Sequence, residues 1–575
     1  MASATSRDPT AVHRTLSSLP SFVAATTLPP SQTHLLLSLA SVVKDQARKI
    51  KRRLLANLAV PLPALDGASP LPELPVLAFP PVDLGDTGLS SLSPSGRLLA
   101  LTRSIKEPAS TKPRRFVEIL AGSAILEAVE VTDHHGDFCA DTFGALSWAP
   151  DERSLVYVAE KKAPEEGPDK FLHRPDWGEG FTKKGFPVLV VINLDAPVKE
   201  AATVLDNIPV AASEYGIKAC HNRSSAIYKA RPDGTSLENL TPTFDHARSP
   251  RLTPDGSRLA FLSNLAPGPH GSTAKLAVHD IASGSTDILV PVVSAPADPD
   301  AFPGLYTIPP PPINCWVESK EGLFFIVGSI WRSREVILAI CMRTGEVTNQ
   351  TPANDDSTAS WNLLCATKDG YIVATRSSPT EPPKVMLGKT QLRDGISWSV
   401  IADSVDGLKS SKVAELLDTI ESQIVQFPDR ATDAELILVA PKNPEGRMPL
   451  IVWPHGGPHT TLTGAFSPWV SGLAALGYSI LLVNYTGSLG FGEDSVRKLL
   501  GNIGTMDVDD VQTATKLILA RGDIDPDRVG ILGGSHGGFL AAHMIGQFPT
   551  LYKAAVLRNP VINIGTMAAV TDIPD

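Results

Sequence analysis

The sequence predicts an all-β propeller followed by an α/β domain with a parallel sheet. Three observations carry this. A weak repeat of turn-plus-strand units runs from about residue 88 to about residue 400. Beyond about residue 430, apolar strands alternate with amphipathic helices. Within that second part a strand, a glycine-rich turn and a helix follow one another without interruption over Arg528 to Phe539. At 575 residues the chain is too long for one core, so two or more domains are expected.

Taken in order, residues 1–31 are rich in Ser, Thr, Ala and Pro with little periodicity, and read as a disordered tail. From Gln32 to Leu58 the apolar positions Leu35, Leu36, Leu39, Val42, Val43, Ala47, Ile50, Leu54 and Leu55 suggest a helix. Lys44, Arg48, Lys49, Lys51, Arg52 and Arg53 make its second half basic. With acids scarce across residues 1–60, this has some transit-peptide character. No organelle signal shows a sharp pattern, so a flexible tail plus a basic docking helix is the preferred expectation. Residues 59–83 are proline-rich and read as a linker, which assigns 32–83 to basic helix and linker together.

The repeat occupies residues 84–425. Its instances begin at Leu92, Trp148, Leu252, Trp316 and Thr367, as in Leu252-Thr253-Pro254-Asp255-Gly256-Ser257-Arg258 followed by an alternating apolar strand. Turn chemistry followed by period-two strands suggests blades of four short strands, about seven of them. The wide gap between Trp148 and Leu252 hides one more, shortened, because only Ser225 to Lys229 reads there as a strand. An irregular β-sandwich is the competing arrangement. His134, His135 and His246 lie in turn-like surroundings and read as surface residues.

Residues 426–575 follow a different grammar. Glu435–Val439, Pro449–Trp453, Tyr478–Val483, Val529–Leu532 and Ala554–Leu557 read as strands, and Asp507–Ala520 as a helix. Apolar strands alternating with helices imply a parallel sheet covered on both faces. In Gly533-Gly534-Ser535-His536-Gly537 the pattern G-x-S-x-G sits between strand and helix, the context that makes it a nucleophile elbow. Ser535 is then a nucleophile held in a strained turn, beside free N–H groups at a helix start. Pro454-His455-Gly456-Gly457-Pro458-His459 falls after another strand. It suits an oxyanion hole made by the N–H of Gly457 (or Gly456) and that of His536. His455, Gly456 and Tyr485 are candidates to touch substrate. The glycine-rich loop Asn484 to Gly492 lacks the G-K-[ST] of a phosphate cradle.

Bulk properties narrow the function. A net charge of -10 gives no reason to expect nucleic acid. No apolar run reaches membrane-spanning length, and no secretory h-region opens the chain. The five cysteines are scattered, without metal-ligand spacing, which suggests reduced thiols inside the cell. No cofactor and no metal is expected.

The motifs Trp453 to His459, Val483 to Ser495, Gly501 to Gln512, Gly533 to Phe539 and Arg558 to Ile564 resemble the prolyl oligopeptidase family of serine peptidases, in its acylaminoacyl-peptidase branch. His536, after the nucleophile, matches that branch. Thr486 departs from it, because the family has Arg there, and this bears on how the loop is pinned. The resemblance implies a propeller capping an α/β-hydrolase domain. It implies release of an N-acylated, often N-acetylated, residue from short peptides through a Ser535 acyl-enzyme, in a cytoplasmic homotetramer.

In this fold the triad runs Ser, Asp, His along the sequence. After Ser535 the sequence offers His536, His543, Asp572 and Asp575. His543 is eight residues on, about 12 Å along a helix at 1.5 Å per residue, whereas general-base work needs about 3 Å. The triad Asp and His are therefore expected to be absent, and the polypeptide to be truncated at its C-terminal end and nearly inactive. Another oligopeptidase or esterase of the family, and a non-catalytic propeller scaffold, are the alternatives.

Overall fold

The structure, a computed structural model, describes residues 7–28, 33–62, 76–106, 113–162, 184–205, 223–427 and 434–567, apart from 86, 123, 141–142, 266–267, 308, 354, 391, 393–395 and 406–409. Among the described residues, five four-stranded antiparallel sheets, within residues 87–130, 146–205, 246–290, 316–349 and 360–403, and one two-stranded sheet, Tyr228–Ala230 with Leu237–Asn239, form a six-bladed propeller. That is one blade fewer than about seven: the five motif instances plus the one in the wide gap account for all six. Residues 206–222, where part of the short blade was expected, lie outside the described residues. His135 and His246 are buried rather than at the surface, and His135 Nε2 lies 2.7 Å from the Tyr157 hydroxyl.

The N-terminal region differs from its sequence reading. Pro9–Ser17 is a helix (α1), capped by the Asp8 carboxylate, which accepts the Thr10 N–H at 2.9 Å. Ser21–Thr27 is a strand, so described residues of the expected disordered tail are ordered. The expected basic helix is a β-hairpin, His34–Asp45 against Ile50–Pro61. Leu35, Leu37 and Leu39 alternate into a core with Tyr371, Val373 and Leu387 of the last blade, so burial selects period two over period 3.6. Part of the expected linker, Leu77–Ala78 and Val82–Asp83, pairs with the same hairpin.

The α/β sheet has six strands in the order Ile420–Gln426, Glu435–Pro441, Ser479–Asn484, Met448–Pro454, Ile524–Gly534, Tyr552–Arg558. It is mixed rather than all parallel. The first two pairings are antiparallel and the other three parallel. Its central strands are covered on both faces, which is why they read as continuous apolar runs, whereas the edge strand Tyr552–Arg558 is largely exposed. Leu436, Leu438, Leu481 and Val483 pack with the helices Met506–Leu519 and His536–Gln547. Ile437, Val439, Ile480 and Leu482 pack with Val12 and Leu16 of α1 and with Val470 and Ala474 of the helix Pro468–Ala475. The domain therefore begins before residue 426 and includes α1.

Propeller and α/β domain are tied by buried polar groups. Arg332, at a blade-hairpin tip with φ +57°, donates from Nε to Glu435 Oε1 at 2.9 Å and from its backbone N–H to Gly490 O at 3.0 Å. The Ser333 N–H donates to the other Glu435 oxygen at 3.1 Å. A second propeller loop brings His270 to 5.3 Å, ring to ring, from His459.

Candidate active site

The elbow follows from steric demands on three adjacent segments. Ser535 has φ +55° and ψ −120°, a conformation that side-chain-bearing residues rarely hold, at the junction between Ile524–Gly534 and the helix His536–Gln547 (here α6). A Cβ on Gly533 would land on the Gly537 carbonyl, so only glycine permits the turn. The Ser535 N–H donates to Arg558 O at 3.0 Å, and Ser535 O accepts from Phe539 N–H at 3.1 Å and Val561 N–H at 3.3 Å. The Arg558-Asn559-Pro560-Val561 segment thus holds the turn from the neighbouring strand.

The structure brings Gly456 to the serine. A Cβ there would stand 3.3 Å from Ser535 Cβ and 2.9 Å from Gly534 O. The backbone of the Pro454–His459 loop therefore lies against Ser535 with no side chain between. Gly457 has φ +131°, and the peptide bond to Pro458 is cis.

His455 and Tyr485 are placed differently from their expected substrate contact. Tyr485 is fully buried, and its hydroxyl donates to His455 O at 3.1 Å. The His455 ring stacks on it at 4.3 Å. His455 Nδ1 lies 2.6 Å from Gly456 O, and Nε2 lies 2.7 Å from Ser488 Oγ. Both side chains are occupied in shaping the loop from beneath. Burial holds the His455 imidazole down at about 3, so it is neutral there. His459 donates from Nδ1 to Gly487 O at 3.0 Å, and burial lowers it to about 4.

Two acidic residues that the sequence reading left unassigned complete the frame. The helix Met506–Leu519 (here α5) presents Asp507 and Asp510 one turn apart, both buried. His536 Nε2 lies 2.8 Å from Asp507 Oδ2. The Thr486 N–H donates to Asp510 Oδ2 at 2.8 Å, which pins the loop at this residue. The available signal was acidic residues at i and i+3 beside the apolar stripe Val508, Val511, Ala514.

No histidine among the described residues hydrogen-bonds the Ser535 hydroxyl. His455 and His459 are engaged as above, His536 is turned to Asp507, and His543 lies 2.9 Å from Gln547 Nε2. Among the described residues no group of His, Cys, Asp and Glu could hold a metal ion, and no helix is long and apolar enough to cross a membrane.

Comparison with known proteins bears on this geometry. Residues 198–412 match a model of the acylamino-acid-releasing enzyme N-terminal domain, and residues 465–574 match the prolyl oligopeptidase family. The rat acylamino-acid-releasing enzyme is 33% identical over 548 residues, covering 85% of this chain and 73% of that protein. The Arabidopsis thaliana enzyme is 32% identical, covering 86% and 74%. The acylaminoacyl peptidase of Pyrococcus horikoshii superposes with a TM-score of 0.67 at 17% identity, covering 98% of this chain and 81% of that one. An acylaminoacyl peptidase in complex with Z-Gly-Gly-Phe-chloromethyl ketone gives 0.68, also at 17%. The chain belongs to the acylamino-acid-releasing enzymes, serine-type peptidases of the prolyl oligopeptidase family.

Proposed function

We propose that Ser535 is the nucleophile of an acyl-transfer reaction that releases N-acylated, including N-acetylated, amino acids from the amino end of short peptides. The observation that carries this is the φ +55° serine lying directly against the bare backbone at Gly456. In the reaction Oγ bonds the substrate carbonyl carbon and its proton passes to a base. The carbonyl oxygen becomes an oxyanion stabilised by the N–H groups of Gly457 (or Gly456) and His536. The C–N bond then breaks as the amine takes a proton, and water releases the acyl group. Gly456 leaves room for the substrate carbonyl, while His455 and Tyr485 hold the loop in shape.

Among the described residues no imidazole reaches Ser535, so these residues supply the oxyanion hole and not the base. Loss of a triad base removes several powers of ten in rate, leaving the contribution of the oxyanion hole. Assembly as a homotetramer and a cytoplasmic location belong to this proposal through the family resemblance alone.

The test pairs covalent labelling with turnover. A fluorophosphonate is expected to label the wild-type chain and not Ser535→Ala, and slow hydrolysis is expected to favour acetyl-alanyl over prolyl substrates. Labelling that persists in Ser535→Ala rejects the nucleophile. A preference for prolyl substrates would move the chain to another oligopeptidase activity. No labelling at all would favour a scaffold.

A further inference from the structure

His536 enters the proposed chemistry only through its backbone N–H, yet its side chain is among the most constrained in the site. The imidazole is 8% exposed and Nε2 lies 2.8 Å from Asp507 Oδ2, on a side chain with no exposure. The other carboxylate oxygen accepts the Gly504 N–H at 2.7 Å and the Val508 N–H at 3.0 Å. A carboxylate can only accept, so Nε2 carries the proton of this bond. The ring is further confined by Phe539 at 5.1 Å and Tyr485 at 6.0 Å.

A buried carboxylate is costly unless it is fully paired, and an apolar residue would fill the same space at lower cost. Its position at the start of α5 offsets part of that cost, since a helix N-terminus favours negative charge. What the carboxylate adds is direction. One end of the bond is anchored in α5, and the other is the residue whose N–H must face the developing oxyanion. The geometry points to Asp507 as a positioning residue. Acting through the His536 imidazole, it fixes the peptide plane between Ser535 and His536 and so aims the oxyanion-hole donor. This rests on the reading of Ser535 as the nucleophile. Asp510, one turn on, holds the Thr486 N–H in the same way, so α5 braces two of the three loops at the site.

The experiment uses the full chain and the variants Asp507→Ala, Asp507→Asn, His536→Phe and His536→Gln. Hydrogen exchange read by mass spectrometry reports the elbow without any need for turnover. Asp507→Ala and His536→Phe are expected to raise exchange over residues 537–541, where the Phe539 N–H bonds Ser535 O, while residues 510–519 of α5 keep their protection. Labelling by a fluorophosphonate, in which Oγ bonds phosphorus as fluoride leaves and the hydroxyl proton passes to solvent, should slow by about tenfold. That is less than the ~10²–10³ lost with a whole oxyanion donor. Asp507→Asn should fall between these and wild type. His536→Gln, whose amide N–H can reach Asp507, should restore both readouts. Unchanged exchange at the elbow in Asp507→Ala overturns the inference. So does exchange that rises along α5 with labelling of the folded protein unchanged, because that marks a purely structural cap. Wild-type labelling no faster than that of Ser535→Ala would instead remove the nucleophile reading and the catalytic consequence with it, whatever the elbow shows in exchange.

Discussion

Ser535 holds a backbone conformation that costs on the order of 1–3 kcal/mol, and its neighbours must impose it. Gly533 is the sharpest test, because a Cβ there has nowhere to go but into the Gly537 carbonyl. Gly533→Ala is expected to destabilise the protein by about 3 kcal/mol through overpacking and to abolish fluorophosphonate labelling even where the protein stays folded. Denaturant melts and labelling at a temperature below the transition check the two effects separately. The serine and its glycines were legible in the sequence because this steric demand is local. Asp507 was not, because its bond to His536 spans 29 positions and depends on how α5 lies against α6. His455 and Tyr485 show the converse error. Polar residues in a motif loop suggest exposure to substrate, whereas here they are the buried supports of that loop.

At the scale of elements, the five strands and two helices read in the α/β domain stand within a few residues of their expected bounds, since long apolar runs leave little choice, whereas the edge strand Ile420–Gln426 and the helices Pro468–Ala475 and Glu493–Lys498 were not read. The segment from residue 34 to 61 was misread because its leucines satisfy both periods, and the packing partner that decides between them is more than 300 residues away. Leu37 is 1% exposed against the last blade. Leu37→Ala is expected to cost about 2–5 kcal/mol, as large-to-small core changes do, and to release the N-terminal sheet to limited proteolysis before the propeller unfolds. Lys51→Ala, on the exposed part of the same hairpin, should stay within about 0.5 kcal/mol of wild type. Equal losses from the two variants, in denaturant melts, would restore the helix reading. The start of α1 was legible in principle. Asp8-Pro9 is a cap followed by proline in the first turn, a signal outweighed by the Ser/Thr/Pro content around it.

For the molecule as a whole, the order of the two domains was legible but their joint was not, because the residues that make it are unremarkable in sequence. The joint is polar and buried. His270 of the propeller meets His459 of the Pro454–His459 loop, with His455 and His536 close enough to act on its charge. Burial, reinforced by these neighbouring imidazoles, lowers His270 to about 3, and His459 to about 4. A histidine with a depressed folded pKa binds its proton more readily in the unfolded state, so acid favours unfolding. Stability from these groups is whole above about pH 6.5 and declines as pH falls towards 4 and 3. The limit is about 1.4 kcal/mol per pH unit for each histidine. His270→Phe removes one such group while keeping the volume apolar. Its melting temperature should therefore fall less than that of wild type between pH 7 and pH 4.5, with the two slopes converging above pH 7. Parallel slopes across that whole range would mean that His270 is already solvated, and that the propeller loop does not close over His459 as the structure places it.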